Sequence, residues 1–423
     1  MASTTIGPWD YVGIIGTGQS LSVGTPPALT TEQPYDNLKL SLGPKGNAAV
    51  PPWDPALREL SLVPLVEPLR AVAVDYPSPY PANTWGETLH TAMANQVSAL
   101  VRAASAGDNY LSVHTVVGES GQGIAELSKH GGDTTGITGR AYAATLFEVA
   151  AIARLAREAG RSYGVSAIVL THGETDSGNP TYRAELDQLQ ADYQRDLAAL
   201  TGQTRKIPIY VSQQHAYPNG AASQGARPLI NQLQWQLGRE RPDEFVCTGP
   251  KYQFAASKEN DGVHLSALGY QMLGEKLGQV YYAREVLKQD WRPLAPLSVS
   301  RTGQVVTVAF HVPVPPLVWD ESFDDPTIRA WSKGKGFELR AGDVQIPIAS
   351  VHIRNASIEI AAVEPLPEGE LVVGYALTSQ GEQLSTASKA VRWGKLRDSD
   401  PFVGASSRRS NPNYCVSFEL PVP

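Results

Sequence analysis

The apolar residues of this chain follow two different rhythms. Up to about residue 290, short continuous apolar runs alternate with stretches in which apolar residues recur every three or four positions. The runs are Tyr11-Val12-Gly13-Ile14-Ile15, Tyr110 to Val117, Ser166 to Thr171, Ile207 to Ser212 and Glu244 to Thr248, and each reads as a buried strand. The helical stretches cover about 86–104, 139–160, 181–201, 225–239 and 266–287. In the first of these, Leu89, Met93, Val97, Leu100 and Val101 share one face; in the second, Ala144, Phe147, Ala151 and Leu155 do. Five alternations of strand and helix predict a parallel sheet covered on both faces.

After residues 289–296 the period drops to two. Val305 to Phe310, Ser357 to Ile360 and Leu371 to Tyr375 alternate as half-buried strands do, with turn residues between them and no convincing helix. The expected organisation is therefore an α/β domain over residues 1–290 and an all-β sandwich over 291–423. Residues 23–84 fit neither rhythm. They are rich in proline and carry Trp53, Tyr76 and Tyr80, with Trp85 directly after them, which predicts a long ordered loop. Its aromatics would either plug onto the core or stack on a sugar ring at a site.

The 423 residues exceed what one hydrophobic core usually supports, which agrees with two domains. A net charge of −7, with no Lys/Arg-rich run, gives no reason to expect a nucleic-acid partner. No apolar stretch is long enough to span a bilayer, so no membrane partner is expected either. No secretory leader is visible, though a chain starting after a removed leader would read the same, and the compartment stays open. Cys247 and Cys415 fall in different halves, and no Cys/His group has zinc spacing. Two free buried thiols and no metal or cofactor are the expectation. Oligomeric state is open.

Every polar motif of the first 290 residues follows a predicted strand, so all of them gather at the carboxyl edge of the sheet, where open α/β folds place their sites. Gly16-Thr17-Gly18-Gln19-Ser20-Leu21-Ser22 ends the first strand in glycines and delivers a serine. Gly118-Glu119-Ser120-Gly121 ends the second, with backbone N–H groups able to face an oxyanion. His172-Gly173-Glu174-Thr175-Asp176 ends the third, and Gln213-Gln214-His215 the fourth. Asn260-Asp261-Gly262-Val263-His264-Leu265 precedes the last helix. A serine nucleophile needs a base and a group that orients the base. His264 is the candidate base, and Asp261, three residues upstream, is within reach of the far side of its ring. Taken singly, a Gly/Ser loop closing a strand and an aspartate capping a turn beside a surface histidine explain the first and last motifs equally well.

In this order and at these places the motifs resemble the SGNH/GDSL hydrolase superfamily, over about residues 10–285. Gly18-Gln19-Ser20 and Gly173-Glu174-Thr175-Asp176 are most similar to the branch of sialate O-acetylesterases and acetylxylan esterases, which writes these blocks Gly-Gln-Ser and Gln-Gly-Glu-Ser-Asp. The resemblance implies a flavodoxin-like three-layer α/β/α domain. It implies Ser20 as nucleophile, His264 as general base and Asp261 as orienting acid, with Glu174 as the alternative acid. Ser20 and Gly118 would supply oxyanion-hole N–H groups. His172 replaces the branch's glutamine and is the expected third donor; Gln19, Trp85 and His215 are the expected substrate contacts. The implied reaction is hydrolysis of O-acetyl groups on a carbohydrate. An esterase for short lipid or aryl esters using the same residues, and an idle glycan-binding or adhesion protein, are the alternatives.

Overall fold

The strand Tyr11–Gly18 (β1) lies at the centre of a seven-stranded sheet. A computed structural model describes residues 4–41, 53–69, 86–129, 139–217, 229–254, 263–322, 333–342, 344–377, 390–391 and 394–423. The other strands of the sheet are Leu38–Leu40 (β2), Leu62–Pro64 (β3), Ser112–Val116 (β4), Tyr163–Thr171 (β5), Ile209–Gln213 (β6) and Phe245–Pro250 (β7). They run in the order β7-β6-β5-β1-β4-β2-β3, all parallel except the last pair. The predicted first strand ends at Ile15; the observed one continues to Gly18, because Gly16, Thr17 and Gly18 still pair with Val169, Leu170 and Thr171. The expected loop over 23–84 contains a short hairpin, β2 and β3, added to the sheet edge.

The helices are α1 (Leu89–Ala104), the single turn α2 (Ile124–Leu127), α3 (Arg140–Glu158), α4 (Tyr182–Thr201), α5 (Leu229–Glu240) and α6 (Ala267–Tyr281). Successive strand residues point to opposite faces, so each buried strand feeds two cores. Val12 and Ile14 of β1, with Ala167 and Val169 of β5, meet Leu89, Met93 and Val97 of α1 and Tyr270, Leu273 and Leu277 of α6. Ile15, Ile168 and Leu170 meet Phe147 and Ile152 of α3 and Leu186, Leu189 and Tyr193 of α4 on the other face. Trp53 is buried in this second core, edge-on to Phe147 at 6.3 Å, which is the core-plugging role. Tyr76, Tyr80 and Trp85 lie outside the described residues.

The C-terminal region forms two four-stranded antiparallel sheets. One is Ala295–Thr302 (β8), Val305–His311 (β9), Ser357–Ala362 (β13) and Ile348–Arg354 (β12); the other is Val344–Ile346 (β11), Phe337–Ala341 (β10), Leu371–Tyr375 (β14) and Phe418–Val422 (β15). Phe310 of the first packs against Phe337 and Phe418 of the second. This core is continuous with the α/β layer: Trp235 of α5 lies 6.4 Å from Phe418. The chain before β15 also runs back along α6. Glu275 accepts hydrogen bonds from the Ser406 and Ser407 amides, Lys276 donates to Asn413, and Asn411 donates to the Met272 carbonyl. Cys247 and Cys415 are both buried and free. Among the described residues no helix is long and apolar enough to cross a membrane, and no group of three His, Cys, Asp or Glu side chains is arranged to hold a metal ion.

Candidate active site

β1 and β5 are neighbours from which the chain departs in opposite directions across the sheet, the place where a crevice opens in such folds. Gly18 has φ +134°, and a Cβ there would collide with the Thr171 carbonyl, so only glycine lets β1 turn away at this point. Gln19 then ties the two strand ends together. Its amide donates to Thr171 O at 3.2 Å, and its side-chain oxygen accepts from the Thr175 amide at 3.1 Å. Gln19 is 3% exposed, so it braces the turn that carries Ser20 rather than meeting a substrate as expected. Residues Ser20–Ser22 form a 3₁₀ turn. The Ser22 hydroxyl donates to the Gln19 carbonyl at 2.7 Å, whereas Ser20 stands half-buried at the open start of the turn, where N–H groups have no partner within the turn.

His264 reaches Ser20 from 244 positions away: Nε2 lies 2.7 Å from Ser20 Oγ. Its placement follows from its neighbours. Val263 and Leu265 are buried in the α1/α6 core, which turns the residue between them outward. Ser266 caps α6 by accepting from the Gly269 amide, which stops the helix short of His264. A neutral imidazole nitrogen at hydrogen-bond distance from an alcohol can take its proton. Asp261, like Trp85, lies outside the described residues.

Gly118 follows β4 against the same turn. The amides of Val117 and Glu119 donate to Gly16 O and Gly18 O of β1, so the Gly118 amide between them faces away from that ladder. A Cβ at Gly118 would collide with Ser22 Oγ. Arg140 pairs with the Glu119 carboxylate and holds this loop from α3.

His172 departs from expectation. It is fully buried and stacks on Tyr182 with 7° between the rings. Its Nε2 lies 3.1 Å from the Gln122 carbonyl and so must donate there, and its Nδ1 lies 3.1 Å from the Tyr182 hydroxyl. Burial lowers its proton affinity despite the nearby Asp176, so the ring is neutral and neither nitrogen is available to an oxyanion. Asp176 accepts from the Ile124 amide at 2.6 Å, capping α2, and from the Asn179 side-chain amide at 3.1 Å in the loop that leads to α4. Glu87, just before α1, accepts from Leu29 and Thr30 and folds the first loop onto that helix.

Glu174 does not meet His264. Its Oε1 lies 3.0 Å from Lys251 Nζ and 3.3 Å from His215 Nδ1, as ion-pair contacts rather than aligned hydrogen bonds, and it also receives the His215 amide. Burial by itself would raise this carboxyl; the Lys251 ammonium and His215 outweigh it and hold the group well below the usual carboxylate range. His215 is 0% exposed, so it is not the substrate contact expected of it. Burial keeps its ring below the ordinary histidine value against the pull of Glu174. Lys251, also 0% exposed, was not singled out from the sequence; a lone lysine after a strand carries no periodic signal.

The sequence matches no protein-family model and no curated protein. Among solved structures, the chain is similar to the crystal structure of a novel carbohydrate acetylesterase from Xanthomonas citri, with a TM-score of 0.56 at 12% identity, over 97% of this chain and 80% of that one. It also overlaps a protein from Arabidopsis thaliana, with a TM-score of 0.42 at 17% identity, over 66% of this chain and all of that one. The first likeness establishes a shared fold, an α/β layer with a parallel-containing central sheet joined to antiparallel sheets.

Proposed function

We propose that this protein is a serine esterase of the SGNH type that removes O-acetyl groups from a carbohydrate. The observation that carries the reading is the 2.7 Å approach of His264 Nε2 to Ser20 Oγ at the carboxyl edge of the sheet. The fold shared with a carbohydrate acetylesterase supports the substrate class. Ser20 Oγ attacks the acetyl carbonyl while His264 takes its proton. The Ser20 and Gly118 amides receive the charge that develops on the carbonyl oxygen. The tetrahedral intermediate collapses, the C–O bond to the sugar breaks, and His264 returns the proton to the sugar oxygen. Water then attacks the acetyl-serine by the same route and releases acetate. Asp261, by its spacing, is the group assigned to orient His264. Residues 1–290 form the catalytic unit in this reading. Residues 291–423 brace it and extend its surface toward a polymer.

The test is acetate release from acetylated xylan, pectin and sialic acid, set beside p-nitrophenyl esters of increasing acyl length. Turnover confined to acetyl groups on sugars supports the reading. Faster turnover of longer acyl or plain aryl esters moves the substrate class, and glycan binding without turnover by the intact protein overturns the hydrolase.

A further inference from the structure

Three charged or polar side chains from three strand ends meet in a fully buried cluster at the sheet edge that also carries Ser20. Glu174 follows β5, His215 follows β6 and Lys251 follows β7, and all are 0–2% exposed. Burying a carboxylate and an ammonium together is costly even when they pair, and hydrophobic residues of the same volume are often as stable or more so. A cluster of this kind at a strand edge therefore calls for a reason beyond stability. Its surroundings supply one. Val263, the residue before His264, has its backbone beside the His215 ring. Glu174 Oε1 in turn lies 3.0 Å from Lys251 Nζ and 3.3 Å from His215 Nδ1.

We infer that Lys251 and Glu174 fix the His215 ring against the Val263 backbone and so set the adjoining His264 ring against Ser20; all three are positioning residues for the esterase reaction. The inference rests on the esterase reading above. It differs from the direct acid role, because Glu174 acts on the backbone next to His264 and not on its ring. Misplacing a catalytic group by about 1 Å typically lowers the rate about 100-fold.

The test replaces the ion pair by residues of similar volume, Lys251→Met together with Glu174→Met, and reads three quantities: melting temperature, kcat against KM on an acetyl ester, and the rate at which a fluorophosphonate labels Ser20. The expected result is a melting temperature at or above that of the wild type, KM within about twofold, and kcat and labelling both down about 10- to 100-fold. His215→Phe, which fills the ring volume and cuts the link to Glu174 and Val263, is expected to lower kcat and labelling alike, and stands in if the double variant does not fold. A folded variant of either kind with wild-type kcat and labelling overturns the inference and leaves the esterase reading intact. A wild type that neither turns over esters nor labels at Ser20 removes both.

Discussion

His264 and His215 end at the same edge of the same sheet, and in every other respect they are opposites. His264 is half-buried, flanked by two core residues that turn it outward, and faces a hydroxyl. His215 is sealed in, beside a carboxylate and an ammonium. In the proposed reaction the same side chain exchanges protons at one place and holds a fixed position at the other. What separates them is access to water and the charge of the partner, and neither is a property of the residue itself. His172, His90 and His114 fall on the buried side of this division. His90 and His114 meet through their Nδ1 atoms at 3.1 Å inside the α1 face, each about 1% exposed.

The division is open to direct attack. Ser20→Ala or His264→Ala should lower kcat/KM on an acetyl ester by about 10³- to 10⁶-fold with little change in melting temperature, and the double variant should fall no further than the worse single one. A variant that keeps wild-type turnover ends the assignment of His264 to proton transfer.

In the proposed reaction Gly118→Ala should cost about 100-fold in kcat, because the added methyl collides with Ser22 and displaces the N–H assigned to the developing oxyanion. An unchanged kcat would remove Gly118 from the site and leave the Ser20–His264 pair standing alone.

The buried histidines should reveal themselves in stability rather than rate. Burial depresses His90 to about 3 in the folded state, against about 6.5 in the unfolded chain. Between those values the unfolded chain binds more protons, so the stability His90 contributes is complete above about pH 6.5 and is lost as the pH falls toward 3. By pH 5 the loss should reach about 1–2 kcal/mol. Glu67 titrates the opposite way in part of this window: burial and the neighbouring Glu87 push its carboxyl up to about 7. Urea unfolding of wild type and His90→Gln at pH 7 and pH 5 therefore isolates the histidine as a difference. Equal pH dependence in the two proteins would mean that His90 is not held neutral.

The smallest effect should come from Ser22→Ala. It removes one buried hydrogen bond to the Gln19 carbonyl, worth about 1 kcal/mol of stability, and should leave the esterase reaction within a few-fold of wild type. A loss comparable to that of Ser20→Ala would mean that the nucleophile turn has been assigned to the wrong serine.

The legible parts of this protein are those whose signals repeat along the chain. The strand runs at 11–15 and 166–171, the helical spacing of Leu89, Met93 and Val97, and the period-two stretches after 296 each repeat a simple choice several times, and the structure follows them closely. The hairpin of Leu38–Leu40 and Leu62–Pro64 was hidden because three residues are too few to show a period and their pairing partner lies more than 20 positions away. His172 and His215 were placed at the right edge with the wrong exposure, since neighbours from other strands and helices cover them. Trp53 was narrowed to two roles, and contact with Phe147 decided between them.

Alternation and spacing by themselves determined an α/β layer followed by β-sheets, and put every polar motif of the first half at one edge, because a parallel sheet sends all its strand ends the same way. Only the tertiary structure decided which of those residues meet. It set Ser20 against His264, and Glu174 against Lys251 and His215, because contact, burial and charge pairing arise between segments far apart in the chain and leave no local trace in either one.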